Sequence, residues 1–192
     1  MPSVFLVSDT HFGHAGVCRF TRADGVTKLR PWTDPDEMDE AMVKAWNDRV
    51  RPNDKVYHLG DVVINRRALP ILDRLNGDKV LIRGNHDIFK DEDYAKYFRS
   101  LRGYHVMNGM ILSHIPIHSE SIGRFGVNIH GHLHANRVMV PLATSGVLDR
   151  IDTRYHCVCV EQTPDFAPIL FEDVVERIRA EGGHIGFQNG NR

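Results

Sequence analysis

The chain has 192 residues, of which 42% are hydrophobic and 26% are charged, and its formal net charge is -1. This length suits one globular domain, which we place over residues 1–181, followed by a Gly-rich and flexible tail over 182–192. The near-neutral charge gives no overall field that would hold a nucleic-acid backbone, so nucleic acid is a disfavoured partner. No apolar run is long enough to span a bilayer, no signal peptide is recognisable, and the three cysteines lack a Cys-x-x-Cys spacing. We therefore expect a cytoplasmic protein without membrane contact.

The first part of the chain is predicted to alternate strands and helices. Short apolar runs rich in β-branched and aromatic residues predict buried strands over 4–7, 55–59 and 79–82. Apolar residues recur at helical spacing over 36–50 and 66–75, so both segments are predicted helices. Strands that alternate with helices pair in parallel through right-handed crossovers. We therefore expect α/β structure in this part.

The second part has shorter apolar runs and is predicted to be largely β. Asn108-Gly109 separates two of these runs and is a strong signal for a tight hairpin turn. Helices are expected over 91–101 and 172–180. The predicted strands are 104–107, 110–114, 127–130 and 155–160.

Polar side chains follow the first three predicted strands. Asp9 and His11 come after the first strand, and Asp61 comes after the second. Residues two apart at a strand end project to the same side, so a carboxylate and an imidazole can share one cation. The third strand leads into Gly-Asn-His-Asp at residues 84–87. Because the carboxyl ends of adjacent parallel strands meet in one crevice, these residues predict one site.

Histidines of the second part complete the candidate ligand set. His114 closes one apolar run, and His132 and His134 follow another at strand spacing. Two carboxylates, one carboxamide and four imidazoles exceed the needs of one tetrahedral ion and suit two ions that share a bridging carboxylate. Nitrogen and oxygen ligands without thiolate favour divalent transition metals: manganese is expected, with iron, zinc, nickel and cobalt as alternatives. The candidate ligands are Asp9, His11, Asp61, Asn85, His114, His132 and His134.

With these residues the chain resembles the calcineurin-like metallophosphoesterase superfamily, and it matches the motif blocks of that superfamily in order. The segments 9–14 and 57–61 are further similar to a group of small phosphoesterases common in bacteria and their phages. The joint match is specific, although each block alone is a weak signal. The blocks are Asp9-Thr10-His11, Gly60-Asp61, Gly84-Asn85-His86-Asp87, His114 and Gly131-His132-Leu133-His134.

The resemblance implies an α/β (α+β) fold, a four-layer αββα sandwich in which helices flank two packed mixed β-sheets. It also implies that His86 is the general acid toward the leaving oxygen and that Asp87 orients it. A hydroxide shared by the metals would attack phosphorus in line. By motif position, one metal would be held by Asp9, His11 and His134, the other by Asn85, His114 and His132, and both would be bridged by Asp61.

One position departs from the pattern of many relatives. Ile64 stands three places after Asp61, where those relatives carry Asp or Asn. The residues that follow also lack the Arg and Gly that the protein phosphatases of the superfamily place soon after the same Asp. A phosphoprotein substrate is therefore disfavoured.

The segment 12–35 follows a ligand-bearing strand and carries several basic side chains. It could form a wall that contacts phosphate or a nucleotide. A solvated loop with scattered charge explains the same residues equally well, so both interpretations stay open. The substrate-binding candidates are His14, Arg19, Arg22 and Arg30.

The sequence thus predicts an enzyme that hydrolyses a phosphodiester or phosphomonoester of a small molecule, with a nucleotide or cyclic nucleotide as the expected substrate. A metal-dependent nuclease is the second interpretation. A scaffold protein that keeps the fold without catalysis is the third. His86 favours an enzyme, because a scaffold does not need an acid beside a complete set of metal ligands.

Overall fold

The computed structural model describes residues 1–141 and 148–186. The α-helices are α1 (Pro35–Arg49), α2 (Asp91–Tyr94), α3 (Ser119–Ile122) and α4 (Phe171–Ala180). Short 3-10 helices lie at Val17–Arg19, Arg66–Arg74, Gly123–Phe125, Val160–Gln162 and Pro164–Phe166. The strands are β1 (Val4–Val7), β2 (Lys55–His58), β3 (Asp78–Ile82), β4 (Ser100–Arg102), β5 (Tyr104–Met107), β6 (Met110–Ser113), β7 (Asn128–His130), β8 (Met139–Pro141), β9 (Leu148–Ile151), β10 (Tyr155–Cys157) and β11 (Ile169–Leu170).

The first sheet has the strand order β11-β1-β2-β3-β4. Strands β1 to β4 pair in parallel, and β11 adds an antiparallel edge. The parallel pairing predicted for the first part of the chain is confirmed. Because β1, β2 and β3 run in the same direction, the residues that follow them emerge at one edge of the sheet.

The second sheet has the order β10-β7-β6-β5 and is also mixed. Its β5–β6 pair is the predicted hairpin, and Asn108 and Gly109 at the turn have φ angles of 50° and 76°. Positive φ at both central residues is the requirement of a type I′ turn, which Asn-Gly meets at low cost. Strands β6, β7 and β10 pair in parallel, and β8 and β9 form a separate antiparallel pair.

Helix α1 begins where the sequence can satisfy its free N–H groups. The Asp34 side chain accepts hydrogen bonds from the backbone N–H groups of Asp36 and Glu37, and Pro35 occupies the first helical position. The apolar face of α1 packs with the 3-10 segment 66–74 on one side of the first sheet.

The two sheets pack face to face. Leu6 of β1 points away from α1 into a second core cluster, where it meets Leu112 and Ile129 of the second sheet and the apolar side of α4. The segment 115–122, which contains α3, lies against the outer face of the second sheet, since Ile117 is hydrogen-bonded to side chains of β7 and β10. Two mixed sheets that pack face to face and are flanked by helices confirm the predicted α/β sandwich.

Three predicted elements differ from the structure. The helix expected over 66–75 is a 3-10 helix, because Pro70 in its interior cannot donate a backbone hydrogen bond. The helix expected over 91–101 ends at Tyr94, and residues 100–102 pair with β3 instead. Pairing with a neighbouring strand thus overrides the local helical pattern. The strand expected over 155–160 ends at Cys157.

The beginning of the expected tail is packed in the structure. Gly186 donates a backbone hydrogen bond to the carbonyl oxygen of Phe125, and Ile185 packs against the second core cluster, between the two sheets. Residues 187–192 of the expected tail lie outside the described residues. Within 1–141 and 148–186, no helix is long and apolar enough to cross a membrane.

Candidate metal centre

Five of the candidate ligands lie on backbone that non-glycine residues adopt uncommonly. The φ angles are 58° for Asp9, 50° for His11, 58° for Asp61, 68° for His132 and 50° for His134. Asp and His tolerate the left-handed region better than bulky residues do, but each such residue still costs on the order of 1 kcal/mol. Strain of this kind persists where the surrounding structure holds it, and it clusters at functional sites. The five outliers therefore mark one edge of the molecule as a candidate site.

Asp9, His11 and His134, which we call the first ligand group, bring their polar atoms together. Asp9 Oδ1 lies 3.7 Å from His11 Nε2 and 3.9 Å from His134 Nε2, and the two imidazole rings stack with centroids 5.3 Å apart. Asp9 Oδ1 is buried and has no hydrogen-bond partner among the described residues. A buried carboxylate oxygen without a donor is costly, and a bound cation would remove that cost.

The other oxygen of Asp9 is fully engaged. Asp9 Oδ2 accepts hydrogen bonds from the Ser8 hydroxyl at 2.5 Å and from the backbone N–H of His132 at 2.8 Å. The Cys159 thiol lies 3.1 Å from the same oxygen. Burial alone would raise the pKa of Asp9, but the close imidazole of His11 and those of His114 and His134 hold that pKa well below its usual range. Asp9 is therefore an anion that presents one fixed oxygen to its neighbours.

Asn85, His114 and His132, the second ligand group, converge next to the first. Asn85 Oδ1 lies 2.9 Å from His114 Nε2, and the rings of His114 and His132 are 5.2 Å apart in an edge-on arrangement. His114 Nδ1 lies 2.7 Å from the carbonyl oxygen of Leu59, which fixes the ring and directs Nε2 into the site. Asn85 and His132 are exposed, whereas His114 is buried.

Asp61 lies between the two ligand groups. Its Oδ2 atom is 3.6 Å from His11 Nε2 and 3.5 Å from His114 Nε2. Its Oδ1 atom accepts a hydrogen bond of 2.8 Å from the backbone N–H of His86. One ligand atom from each of Asp9, His11 and His134 lies within 4.8 Å of the other two. The same holds for Asp9, Asp61 and His114. This arrangement fits two cations that share the carboxylate of Asp61.

Glycines permit this close approach. A Cβ atom on Gly84 would overlap the Asp61 carboxylate, and one on Gly131 would overlap the Ser8 hydroxyl and come within 2.5 Å of Asp9 Oδ2. The glycines before Asn85 and His132 are therefore required by the packing of the ligands themselves.

His86 and Asp87 follow Asn85 but occupy different environments. His86 is exposed, and its ring lies 5.6 Å from that of His11. Asp87 is buried and accepts hydrogen bonds of 2.8, 3.0 and 2.8 Å from the backbone N–H groups of Asp61, Val62 and Gly84. The expected orienting contact with the His86 ring is not among the hydrogen bonds of the described residues, and Asp87 instead holds the backbone of the turn that begins at Gly84.

Glu161 and Arg30 form a buried pair behind the first ligand group. Glu161 Oε1 accepts from Arg30 Nε at 2.8 Å and lies 3.2 Å from His134 Nδ1. Arg30 also donates to the carbonyl oxygens of Asp9 at 2.6 Å and Thr10 at 2.8 Å. Burial alone would raise the pKa of Glu161, but the positive charge of Arg30 and the contact with His134 lower it. The pair thus holds both the imidazole of His134 and the backbone of Asp9.

The position of Arg30 is a correction to the sequence prediction. Arg30 is 1% exposed, so it cannot contact substrate as expected. Glu161, by contrast, was not recognised in the sequence, because a single Glu after an apolar run carries no motif. The only sequence signal is that Glu161 comes directly after an apolar run that ends at Val160 and is followed by another polar residue.

The other substrate-binding candidates lie at different distances from the site. Arg19 and Arg22 are exposed on the segment 12–35. The His14 ring lies 5.6 Å from that of His11, and burial lowers the pKa of His14 to about 4. His14 therefore borders the site as a neutral imidazole.

Comparison with known proteins agrees with this geometry. The family model described as calcineurin-like phosphoesterase matches residues 2–173, so the chain belongs to that family. Membership makes the protein a metal-dependent phosphoesterase, and the family implies divalent metal ions, for which the two ligand groups are the candidate site.

Individual relatives carry less functional information. The uncharacterized protein MJ1445 of Methanocaldococcus jannaschii is 38% identical over 144 residues, which cover 72% of this chain and 73% of the relative. The structure of AQ665, a protein of unknown function from Aquifex aeolicus, shares the fold, with a TM-score of 0.64 and 24% identity over 92% of this chain and 100% of the other. The structure of an archaeal phosphodiesterase aligns over 82% of each chain at 17% identity with a TM-score of 0.43.

Proposed function

We propose that this protein is a dinuclear phosphoesterase that hydrolyses a phosphodiester or phosphomonoester of a small molecule. The observation that carries the proposal is the position of Asp61 Oδ2, 3.6 Å from an imidazole nitrogen of the first ligand group and 3.5 Å from one of the second. A carboxylate oxygen between two sets of donors is the arrangement that a bridged pair of ions requires. Manganese suits the mixed nitrogen and oxygen donors.

Each of the two proposed ions would have its own set of ligands, with one residue shared. Asp9, His11 and His134 would hold one ion, Asn85, His114 and His132 the other, and Asp61 both. Two bound divalent ions would supply positive charge to the phosphate oxygens and lower the pKa of the attacking water. The buried contacts of Asp9, His114 and His134 keep the ligands in place before substrate arrives.

His86 is the proposed general acid. In hydrolysis, the water oxygen bonds to phosphorus, the ester P–O bond breaks, and the leaving oxygen takes up a proton. His86 is exposed at the edge of the site and its backbone is fixed to Asp61, so its imidazole can reach a leaving oxygen. Asp87 supports this position by holding the turn from Gly84.

A nucleotide or cyclic nucleotide is the proposed substrate. The site is open at Asn85, His86 and His132, which suits a small anionic ester. The cytoplasmic location and the single domain over 1–181 stay predictions, which cell fractionation and limited proteolysis would test.

A substrate screen tests the proposal. Metal-free protein reloaded with manganese would be assayed on aryl phosphate monoesters and diesters, cyclic nucleotides and single-stranded DNA. We expect release of product from small esters and little or none from DNA. An Asp61→Asn variant should lose this activity, and the exposed Asp73→Asn variant should keep it. Efficient cleavage of DNA would favour a nuclease, and inactivity on every ester with two ions bound would contradict the proposal.

A further inference from the structure

A groove of about 570 Å³ opens on the outer face of the second sheet, directly beside the second ligand group. Asn85 and His114 line one end of it. Ile111 and Ser113 of β6 line its floor, while the intervening Leu112 points inward to the core between the sheets. The groove is therefore continuous with the candidate metal centre.

The mouth of the groove is apolar and open to water. Tyr104 is 62% exposed and Ile115 is 52% exposed, and both line the groove together with Ile117. Large apolar side chains gathered at a concave surface are the usual composition of a ligand pocket. Their adjacency to Asn85 and His114 points to part of the substrate as the occupant.

Two of the polar side chains that line the groove are engaged elsewhere. The Ser113 hydroxyl donates to the carbonyl oxygen of Ile115 at 2.7 Å and accepts from Asn128 at 2.9 Å. Arg83 pairs with the Asp91 carboxylate and donates to two backbone carbonyl oxygens. With these donors satisfied, the groove favours an uncharged ring over a second charged group.

Building on the proposed function, we propose that this groove binds the ester group that stays on phosphorus when a phosphodiester is cleaved, and that this group is an uncharged aromatic or apolar ring. The proposed acid His86 packs 5.6 Å from His11, whereas the groove begins at Asn85 and His114. When the leaving oxygen lies beside His86, the groove is free for the ester group that stays on phosphorus. A phosphomonoester has no such group, so the substrate class is a phosphodiester.

Binding measurements test the groove with hydrolysis suppressed. Isothermal titration calorimetry of the manganese-loaded His86→Ala variant, which lacks the proposed general acid, would compare diphenyl phosphate with dimethyl phosphate. We expect diphenyl phosphate to bind about tenfold tighter, since a phenyl ring buries more apolar surface than a methyl group. Ile115→Ser and Tyr104→Ala should each reduce this advantage to about threefold. Ile151→Ser, which alters an exposed Ile on β9, is the matched control and should keep it.

Equal binding of the two diesters, absence of binding by both, or an unchanged advantage in both groove variants would overturn the inference. Hydrolysis separates its failure from that of the proposed function. Methyl and phenyl esters of nitrophenyl phosphate share one leaving group, and the phenyl ester should have about tenfold higher kcat/KM. Equal hydrolysis of the two esters would refute the proposed role of the groove but not the proposed phosphoesterase activity. Tight binding of diphenyl phosphate without hydrolysis of either ester would refute the proposed chemistry and support the groove as a binding site.

Discussion

The two ligand groups differ in what surrounds them. In the first group, Asp9 and His11 are buried, and His134 is backed by Glu161 and Arg30. In the second group, two of the three ligands are exposed at the edge of the site. Ligands held by buried partners lose less freedom when an ion binds. The first position should therefore bind its ion more tightly and fill first, and the second should exchange more readily.

The largest expected effect belongs to His86, which lies near the first ligand group but is not a proposed ligand. His86→Ala should reduce kcat on alkyl or nucleoside esters by about a hundredfold to ten-thousandfold, because an alkoxide must be protonated to leave. Nitrophenyl esters should lose much less, since nitrophenolate leaves without help. Steady-state kinetics on both substrate classes, with metal content measured on the same samples, checks this.

Both positions should stay filled in His86→Ala. If kcat fell by the same factor on both classes of substrate while both ions stayed bound, the acid role would be wrong. His86 would then be better described as a contact to the phosphate.

Glu161 tests the first ligand group itself. Glu161→Gln should weaken the tighter ion by about tenfold to a hundredfold, because the carboxylate that supports His134 loses its charge. It should also destabilise the fold, since the buried guanidinium of Arg30 loses its anionic partner. Calorimetric titration with manganese measures the affinity, and circular dichroism confirms that the chain stays folded.

The matched control is Glu40→Gln, which removes an exposed carboxylate paired with Arg74. It should leave metal affinity unchanged, because exposed ion pairs contribute little. An unchanged first affinity in folded Glu161→Gln would show that the buried pair does not support the first ion.

The exposed arginines of the segment 12–35 should have a smaller effect. Arg19→Ala and Arg22→Ala should each raise the Michaelis constant by roughly threefold to fivefold, as expected for one solvent-screened charge near a phosphate. Neither should change metal content, because both side chains lie outside the ligand groups. A Michaelis constant equal to that of the wild type in both variants would make the segment a solvated connection.

Asp39 gives the smallest expected effect, on stability. This buried carboxylate accepts both of its described hydrogen bonds from the backbone N–H of Gly13, close to His11, and burial raises its pKa to about 6. Folding thus favours the protonated form. The stability linked to this group is complete below the usual pKa and is lost as pH rises through about 6.

Asp39→Asn should remove this loss of stability at higher pH, because the amide oxygen still accepts the hydrogen bond from Gly13 without carrying a charge. At pH 8 the variant should be more stable than the wild type by about 1 kcal/mol, and at pH 4 the difference should nearly vanish. Denaturant titration of the metal-free proteins at the two pH values measures both free energies of unfolding. A difference of the same size at both pH values would rule out titration of Asp39 as its source.

The sequence predicted the convergence of the candidate ligands better than the residues that surround them, and the reason is physical. Asp9, Asp61 and Asn85 each follow an apolar run that predicts a buried strand, and parallel pairing brings them to one edge. Glu161 lies in a short 3-10 helix and Arg30 in a loop 131 positions away, and no periodic pattern marks such a contact. A basic residue in a loop is usually exposed, which is why the buried position of Arg30 was not foreseen.

The local sequence pattern also gave a wrong prediction at β4. Residues 91–101 have a helical composition, but pairing of Ser100–Arg102 with β3 decides their conformation. The left-handed backbone of five of the ligands was likewise not predictable, since non-glycine residues adopt positive φ only uncommonly.

The most direct test of the central claim is a calorimetric titration of metal-free protein with manganese, carried out on the wild type and on Asp61→Ala. The bridging position of Asp61 predicts two ions per wild-type chain, bound with unequal affinities. In folded Asp61→Ala, both affinities should fall, because one carboxylate serves both ions. A single tightly held ion in the wild type, retained with unchanged affinity in Asp61→Ala, would contradict the dinuclear centre.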